Sequence, residues 1–274
     1  MTSSAHAARP AASGESAGLR RFETQVWAVA AAEVRKLRHD PLELVTRAVQ
    51  PMLWLGVFGN VMAQVRGFPT GNLAYLDFLA PGVLAQSALF VSIFYGIAAI
   101  WERDLGILQK YLVSPASRSA LVLGKALSAG VRGLSQAAIV YLLAFAMGID
   151  LNVSPHNVLV VFVLILIGSG LFATVSLIIA CIVKTRERFM GIGQVLTMPL
   201  FFASNAIYPI GVMPGWLRVL ARINPLTYQV DALRGLMIAG GSSTMGVGTD
   251  LAVLVGVFAG VVAVAARMYP RMIT

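Results

Sequence analysis

The run from Asn157 to Val183, NVLVVFVLILIGSGLFATVSLIIACIV, contains no Asp, Glu, Lys or Arg. About 20 apolar residues suffice to carry a helix across the hydrocarbon of a bilayer. Lipid offers the backbone no hydrogen-bond partners, so a segment that crosses it must satisfy its own peptide groups, and a helix does so within itself. A run this long and uncharged therefore fixes one element of the chain as a membrane helix. Five further runs are apolar enough to be candidates, at about 46–65, 79–100, 128–149, 189–208 and 249–266, with Arg47, Arg132 and Asp250 the charges among them. The composition agrees: 58% of the 274 residues are hydrophobic and 12% are charged, against about 25% charged in soluble domains. The fold class expected is all-α, a polytopic membrane protein with six transmembrane helices.

The net charge of +9 is not gathered into one basic patch, which argues against nucleic acid as a partner. Lys and Arg cluster in alternate loops, and cytoplasmic loops are the ones enriched in them. Arg9, Arg20, Arg21, Arg35, Lys36 and Arg38 precede the first run; Arg103, Lys110, Arg118 and Lys125 follow the second; Lys184, Arg186 and Arg188 follow the fourth; Arg267 and Arg271 follow the sixth. Both termini are expected in the cytoplasm. The segment between the fifth and sixth runs disagrees, because it holds Arg218, Arg222 and Arg234 on the side that should be outside.

Residues 1–21 are polar and small, and are expected to form a disordered cytoplasmic tail. Residues 22–40 place Trp27, Ala30, Val34 and Leu37 on one stripe with Arg35, Lys36 and Arg38 off it, the pattern of an amphipathic helix lying in the interface. The transmembrane domain is expected over 22–274. The single cysteine, Cys181, has no partner for an intrachain disulfide and sits in an apolar run, where a thiol packs as a small hydrophobe. The small residues Gly168, Ser169, Gly170, Gly191, Gly193, Gly130 and Gly133 let membrane helices approach closely.

Between the second and third runs stands ERDLGILQKYLVSP, Glu102 to Pro115. Leu105, Leu108 and Leu112 fall on one helical face, widened by Ile107 and Tyr111. Glu102 and Asp104 lie where carboxylates complement a helix dipole, and Pro115 stops the helix. Such a short amphipathic helix suits a groove on another protein, and it equally suits the surface of the lipid headgroups.

The longer stretch ERDLGILQKYLVSPASRSALVLGK resembles the cytoplasmic loop of ABC-2 type transporter permeases, through Glu102, Gly106, Leu108, Pro115, Ser117, Arg118, Gly124 and Lys125. A second stretch, ASNAIYPIGVMPGWLRVLARINPLTYQVDALRG, is similar to that family's segment between its last two spans. Pro209, Pro214, Trp216, Leu217, Asn224, Pro225, Leu226, Thr227, Tyr228, Asp231, Ala232 and Arg234 fit in order; Ser204-Asn205 stands where the family often has Ser-Gly. The closest flavour is the daunorubicin-resistance and nodulation-factor export branch. The resemblance implies a permease without catalytic residues, cofactor or metal of its own, working with a cytoplasmic ABC ATPase subunit that holds ATP and Mg. It implies a homodimer, or a pair with a homologous permease, with spans one and five at the seam. A coupling helix at about 104–112 would meet the ATPase through Glu102, Asp104, Leu105, Gly106, Leu108, Tyr111, Leu112, Pro115 and Arg118. Short re-entrant helices would dip into the outer leaflet around Pro209, Pro214, Trp216, Asn224, Pro225, Tyr228, Asp231 and Arg234. Phe201, Phe202 and Tyr208 are candidates for lining a lipophilic pathway.

A phosphate-binding loop of the form G-x-x-x-x-G-K-[ST] is ruled out around Gly124-Lys125, because Ser119 stands five residues before Gly124 and Ala126 follows Lys125. His6, His39 and His156 are scattered and form no catalytic set. Asp77, Asp150 and Asp250 fall at run edges, where solvation is expected, and this scarcity of intramembrane carboxylates weighs against a proton-coupled carrier. Arg132, inside the third run, is expected to snorkel to the inner surface. The reading is the membrane subunit of an exporter for a lipophilic drug, lipid or glycoconjugate in a bacterial plasma membrane. An ion-coupled secondary transporter is the first alternative and a non-transporting scaffold the second.

Overall fold

The computed structural model describes residues 41–65, 69–105, 118–183 and 185–269. The N-terminal tail, the interface helix of 22–40 and most of the segment 104–112 lie outside the described residues. Among the described residues the chain is helical throughout, with one isolated antiparallel bridge between Leu151 and Ile238.

Helix α1 (Pro41–Met52) runs without a break into a π-helical stretch, Leu53–Gly59, and then α2 (Asn60–Val65). The wider π turn frees carbonyls from the regular ladder, and the Asn60 amide donates to one of them, Gly56 O, at 2.8 Å. Helix α3 (Tyr75–Phe94) and α4 (Gly96–Asp104) are two parts of one rod hinged at Tyr95. Then come α5 (Arg118–Ala146), α6 (Pro155–Ile182), α7 (Arg186–Phe202), α8 (Gly215–Ile223), α9 (Pro225–Met237) and α10 (Val247–Met268). Four rods are long and apolar enough to cross a membrane: 75–104, 121–146, 155–182 and 247–268. The 28 residues of α6 extend about 42 Å, beyond the roughly 30 Å hydrocarbon core. The fifth expected run forms the 17-residue α7, interrupted by Pro199. The first is split by the π turn.

Local chemistry sets the ends. Pro155 and Pro225 occupy first-turn positions, where the missing N–H costs nothing. Thr185 caps α7 by accepting from Arg188 N. Gly148, at φ 73°, turns the chain out of α5, and Ile149 N donates back to Ala144 O at 3.0 Å.

Helix α3 is the axis of the bundle. It packs on α5, α6 and α9, and α10 closes the far side against α6, α9 and α5. Small side chains make this approach feasible. A Cβ on Gly82 would stand 2.4 Å from Ala206 O. Gly133 sits against Ser169, Gly168 against Gln229, Gly130 against Leu166 and Gly170 against Phe258. Gly193 meets Ile93 and Phe94, while Gly191 has nothing within 4 Å. The stretch 41–65 and α7 are peripheral, both leaning on α3, with Val57, Val61, Val195 and Met198 among their exposed apolar residues.

The break at Tyr95 divides the apolar core in two. The larger cluster surrounds α3; the smaller one joins Ile100, Val122, Leu177, Phe189 and Tyr269 at the end where α4 finishes. The carbonyl of Ile93, released at the break, accepts from the Ser176 hydroxyl of α6. Gly96 is pressed against Ser176 and Phe189, leaving no room for a side chain there.

Candidate functional site

Two regions gather the residues singled out by sequence, one at each end of the bundle. At the first, α4 delivers Trp101, Glu102, Arg103 and Asp104 to the root of the charged segment. Glu102 forms an ion pair with Lys125 of α5. Asp104 accepts from Arg186 at the start of α7 at 3.1 Å, and from Arg103 at 3.4 Å. Arg103 also reaches Val183 O at 3.3 Å. The Arg186 guanidinium lies 3.5 Å from the centre of the Trp101 ring. Three helices are thereby joined by charge where the segment leaves the bundle. The two ends of the first sequence motif, Glu102 and Lys125, turn out to be partners, a pairing that one sequence could not reveal. Lys125 is thus engaged in an ion pair beside a plain helical Gly124. Leu105 is 67% exposed. Gly106, Leu108, Tyr111, Leu112 and Pro115 lie outside the described residues; Arg118 opens α5.

At the other end, the chain from Ser204 to Asp250 folds into a capped, hydrogen-bonded cluster. Asn224 caps α9: its Oδ1 accepts from Leu226 N at 3.0 Å, and its Nδ2 donates to Leu200 O at 2.6 Å and Ala203 O at 3.1 Å. One side chain thus ties α9 to the end of α7. Pro209 leads into the turn Ile210–Val212, and Pro214 precedes α8. Arg218 folds back onto Gly211 O and Met213 O, at 3.2 and 3.1 Å. Tyr228 donates to Arg222 O at 2.7 Å. Trp216 is exposed on α8.

Asp231 and Arg234, one turn apart on α9, are both buried. Asp231 accepts from Asn205 Nδ2 at 3.4 Å, from Ser243 Oγ at 3.1 Å and from Met245 N at 2.9 Å. Arg234 donates to Asn205 O at 2.8 Å and to Phe78 O at 3.3 Å, and its guanidinium lies 3.8 Å from the centre of the Phe78 ring. Burial lowers Arg234 to about 10, opposed by the charge of Asp231, so it remains cationic at neutral pH. Its burial also removes it from the surface charge that conflicted with the expected orientation.

One expectation is corrected here. Asp250 is not solvated: it is fully buried, with Oδ2 2.8 Å from Ser243 Oγ. The loop following α9 folds back over the start of α10, which periodicity alone does not foretell. Asp150 is exposed, and Asp77 Oδ1 accepts from Asp150 N at 3.3 Å. Arg132 is half-buried on α5, its guanidinium 5.3 Å from the centre of the Tyr95 ring at the helix break. The three aromatic candidates are neighbours that differ in exposure, the Phe201 and Phe202 rings meeting edge-on with centres 5.4 Å apart. Phe201 is buried edge-on against Trp54, with ring centres 5.1 Å apart, Phe202 is exposed, and Tyr208 donates to Phe202 O.

The family model described as ABC-2 type transporter matches residues 24–238. The chain belongs to the ABC-2 type transporter family. A relative in Cyanophora paradoxa, putative transport permease ycf38, is 32% identical over 204 residues, covering 73% of this chain and 70% of the relative. The daunorubicin resistance ABC transporter permease protein DrrB1 of Streptomyces coeruleorubidus is 26% identical over 86% of this chain and 81% of its own length. Nodulation protein J of Rhizobium meliloti (strain 1021) is 27% identical over 74% of this chain and 76% of its own length. The matched region of this ABC-2 chain includes both the charged root at Glu102 and the α8–α9 cluster. With its long apolar helices, this family membership makes the chain a membrane protein, a permease subunit of an ABC transporter.

Proposed function

We propose that this chain is the permease subunit of an ATP-driven exporter in a bacterial plasma membrane, moving a lipophilic drug, lipid or glycoconjugate. The observation that carries the reading is the charged junction of Glu102 with Lys125 and of Asp104 with Arg186. A push on the segment after Asp104 is passed at once to α4, α5 and α7, rather than lost in a loose loop. In this reading a separate ATPase subunit holds ATP and Mg and supplies the push through the segment 104–112. The spans are six, with span one and α7 counted among them. Both termini are cytoplasmic, and α8 and α9 are re-entrant in the outer leaflet. The exposed apolar faces of span one and α7 suit a seam with a second permease. A relative named for daunorubicin resistance supports a drug as one cargo class.

The test is a mild-detergent pull-down of the tagged protein at native expression level, with partners identified by mass spectrometry. An ATPase subunit should co-purify in about equal amount. Leu108→Asp should lose it and block export while remaining inserted, and Arg118→Ala should weaken it. Normal export by Leu108→Asp would remove the coupling role.

The buried pair Asp231 and Asp250 favours one second reading, an ion-coupled transporter, since buried carboxyls in membrane segments are common in proton relays. Export that persists after ATP depletion and stops with an uncoupler would select it; the opposite pattern selects the ATP-driven exporter.

A further inference from the structure

A cavity of about 280 Å³ opens beside the Asn205–Arg234 cluster, lined among others by Thr70, Phe78, Asn205, Arg234, Ser242 and Thr244. We propose that it binds a small oxyanion group, a phosphate or carboxylate, on the guanidinium of Arg234.

Three observations converge on that class of ligand. First, Arg234 is 5% exposed and lines the cavity. Its bonds to Phe78 O and Asn205 O use Nε and Nη2, so the Nη1 edge is left for an occupant. Its hydrogen bonds go only to neutral carbonyls, while Asp231 acts on it through space and the Phe78 ring covers its face, so an anion at the free edge would add a bonded counter-charge. Second, the nearest carboxylate turns elsewhere. Asp231 is engaged by Asn205 Nδ2, Ser243 and Met245 N, and among the described residues no Asp or Glu lines the cavity. Third, the rest of the polar wall adds donors. The Ser242 and Thr244 hydroxyls stand at its exposed rim. Guanidinium forks match phosphate and carboxylate oxygens in geometry as well as charge. The site stands whether transport is driven by ATP or by an ion gradient.

The group could belong to a lipid headgroup or to a free anion, and two arms distinguish them. In the first, the intact protein in a neutral maltoside detergent is titrated calorimetrically with inorganic phosphate, with chloride at matched ionic strength as control. Saturable phosphate binding is expected. Thr244→Asp puts a carboxylate at the rim without disturbing the buried cluster, and should weaken binding at least tenfold with an unchanged melting temperature. In the second, the protein is taken from nanodiscs of phosphatidylglycerol or of phosphatidylcholine, and retained lipid is counted by native mass spectrometry. Phosphatidylglycerol kept by the wild type and lost from Thr244→Asp assigns the group to a headgroup. Phosphate binding with no retained lipid assigns it to a free anion. Absence of both phosphate binding and retained phosphatidylglycerol overturns the proposal, as does binding that is equal in wild type and Thr244→Asp.

Discussion

Both polar atoms of the Asn224 side chain are bonded to backbone, the oxygen at the start of α9 and the nitrogen at the end of α7. A lost N-cap costs about 1 kcal/mol, and each further hydrogen bond about 1 kcal/mol. Asn224→Ala should therefore destabilise the protein by about 2–3 kcal/mol, seen as a lower melting temperature in detergent. Asn224→Asp keeps the cap and loses the donor, and should fall between. A melting curve for Asn224→Asp indistinguishable from that of Asn224→Ala would show that the cap adds nothing. The Asn-Pro pair was legible in sequence only as part of the second family motif; in the structure Asn caps and Pro opens α9. Its grip on Leu200 and Ala203 was not, since nothing local specifies which loose carbonyls a cap will meet. The burial of Asp250 escaped for the same reason: its environment comes from Ser243 and Asp231, supplied by the preceding loop and another helix.

At the scale of the element, glycines separate into those that admit a neighbour and those that do not. Gly82 on α3 would drive a Cβ into Ala206 O at 2.4 Å, whereas Gly256 on α10 faces open space. Gly82→Val should abolish the monodisperse peak in fluorescence-detected size-exclusion chromatography, while Gly256→Val should leave it intact. Equal behaviour of the two would mean that the close approach of α3 to 204–206 is not needed for assembly. The apolar runs announced α6 and α10 to within two residues at each end and the rod 75–104 to within four, because length and apolarity suffice for a membrane helix, whereas α5 begins ten residues before the expected 128. The π turn at Leu53–Gly59 and the break at Tyr95 were invisible. Both depend on partners distant in sequence or on a single side chain, Ser176 in one case and Asn60 in the other. The apolar pattern is the same with or without them.

For the molecule as a whole, the pairing of Glu102 with Lys125 joins α4 to α5 on either side of the segment that links them. Lys125→Glu alone sets two carboxylates face to face and should lower cargo-stimulated ATP hydrolysis of the assembled transporter severalfold. Adding Glu102→Lys should restore much of it. Failure of the double exchange to recover activity, with both proteins stably inserted, would reduce the pair to a bystander. The two family motifs were legible as strings, but their meaning differs in space. The first brackets an ionic junction, and the second builds a buried cluster around Asp231 and Arg234.

Arg234 has a consequence for biogenesis. Chains emerge N-terminus first, so α3 enters the bilayer long before α9 is made. By then α5 and α6, its main packing partners, are already made, so what α3 still lacks is its contact with α9. Arg234 reaches Phe78 O across 156 positions of sequence, so this contact is among the last that synthesis permits. A nascent chain stalled before α9 therefore lacks the tie that Arg234 makes between α3 and the later part of the chain.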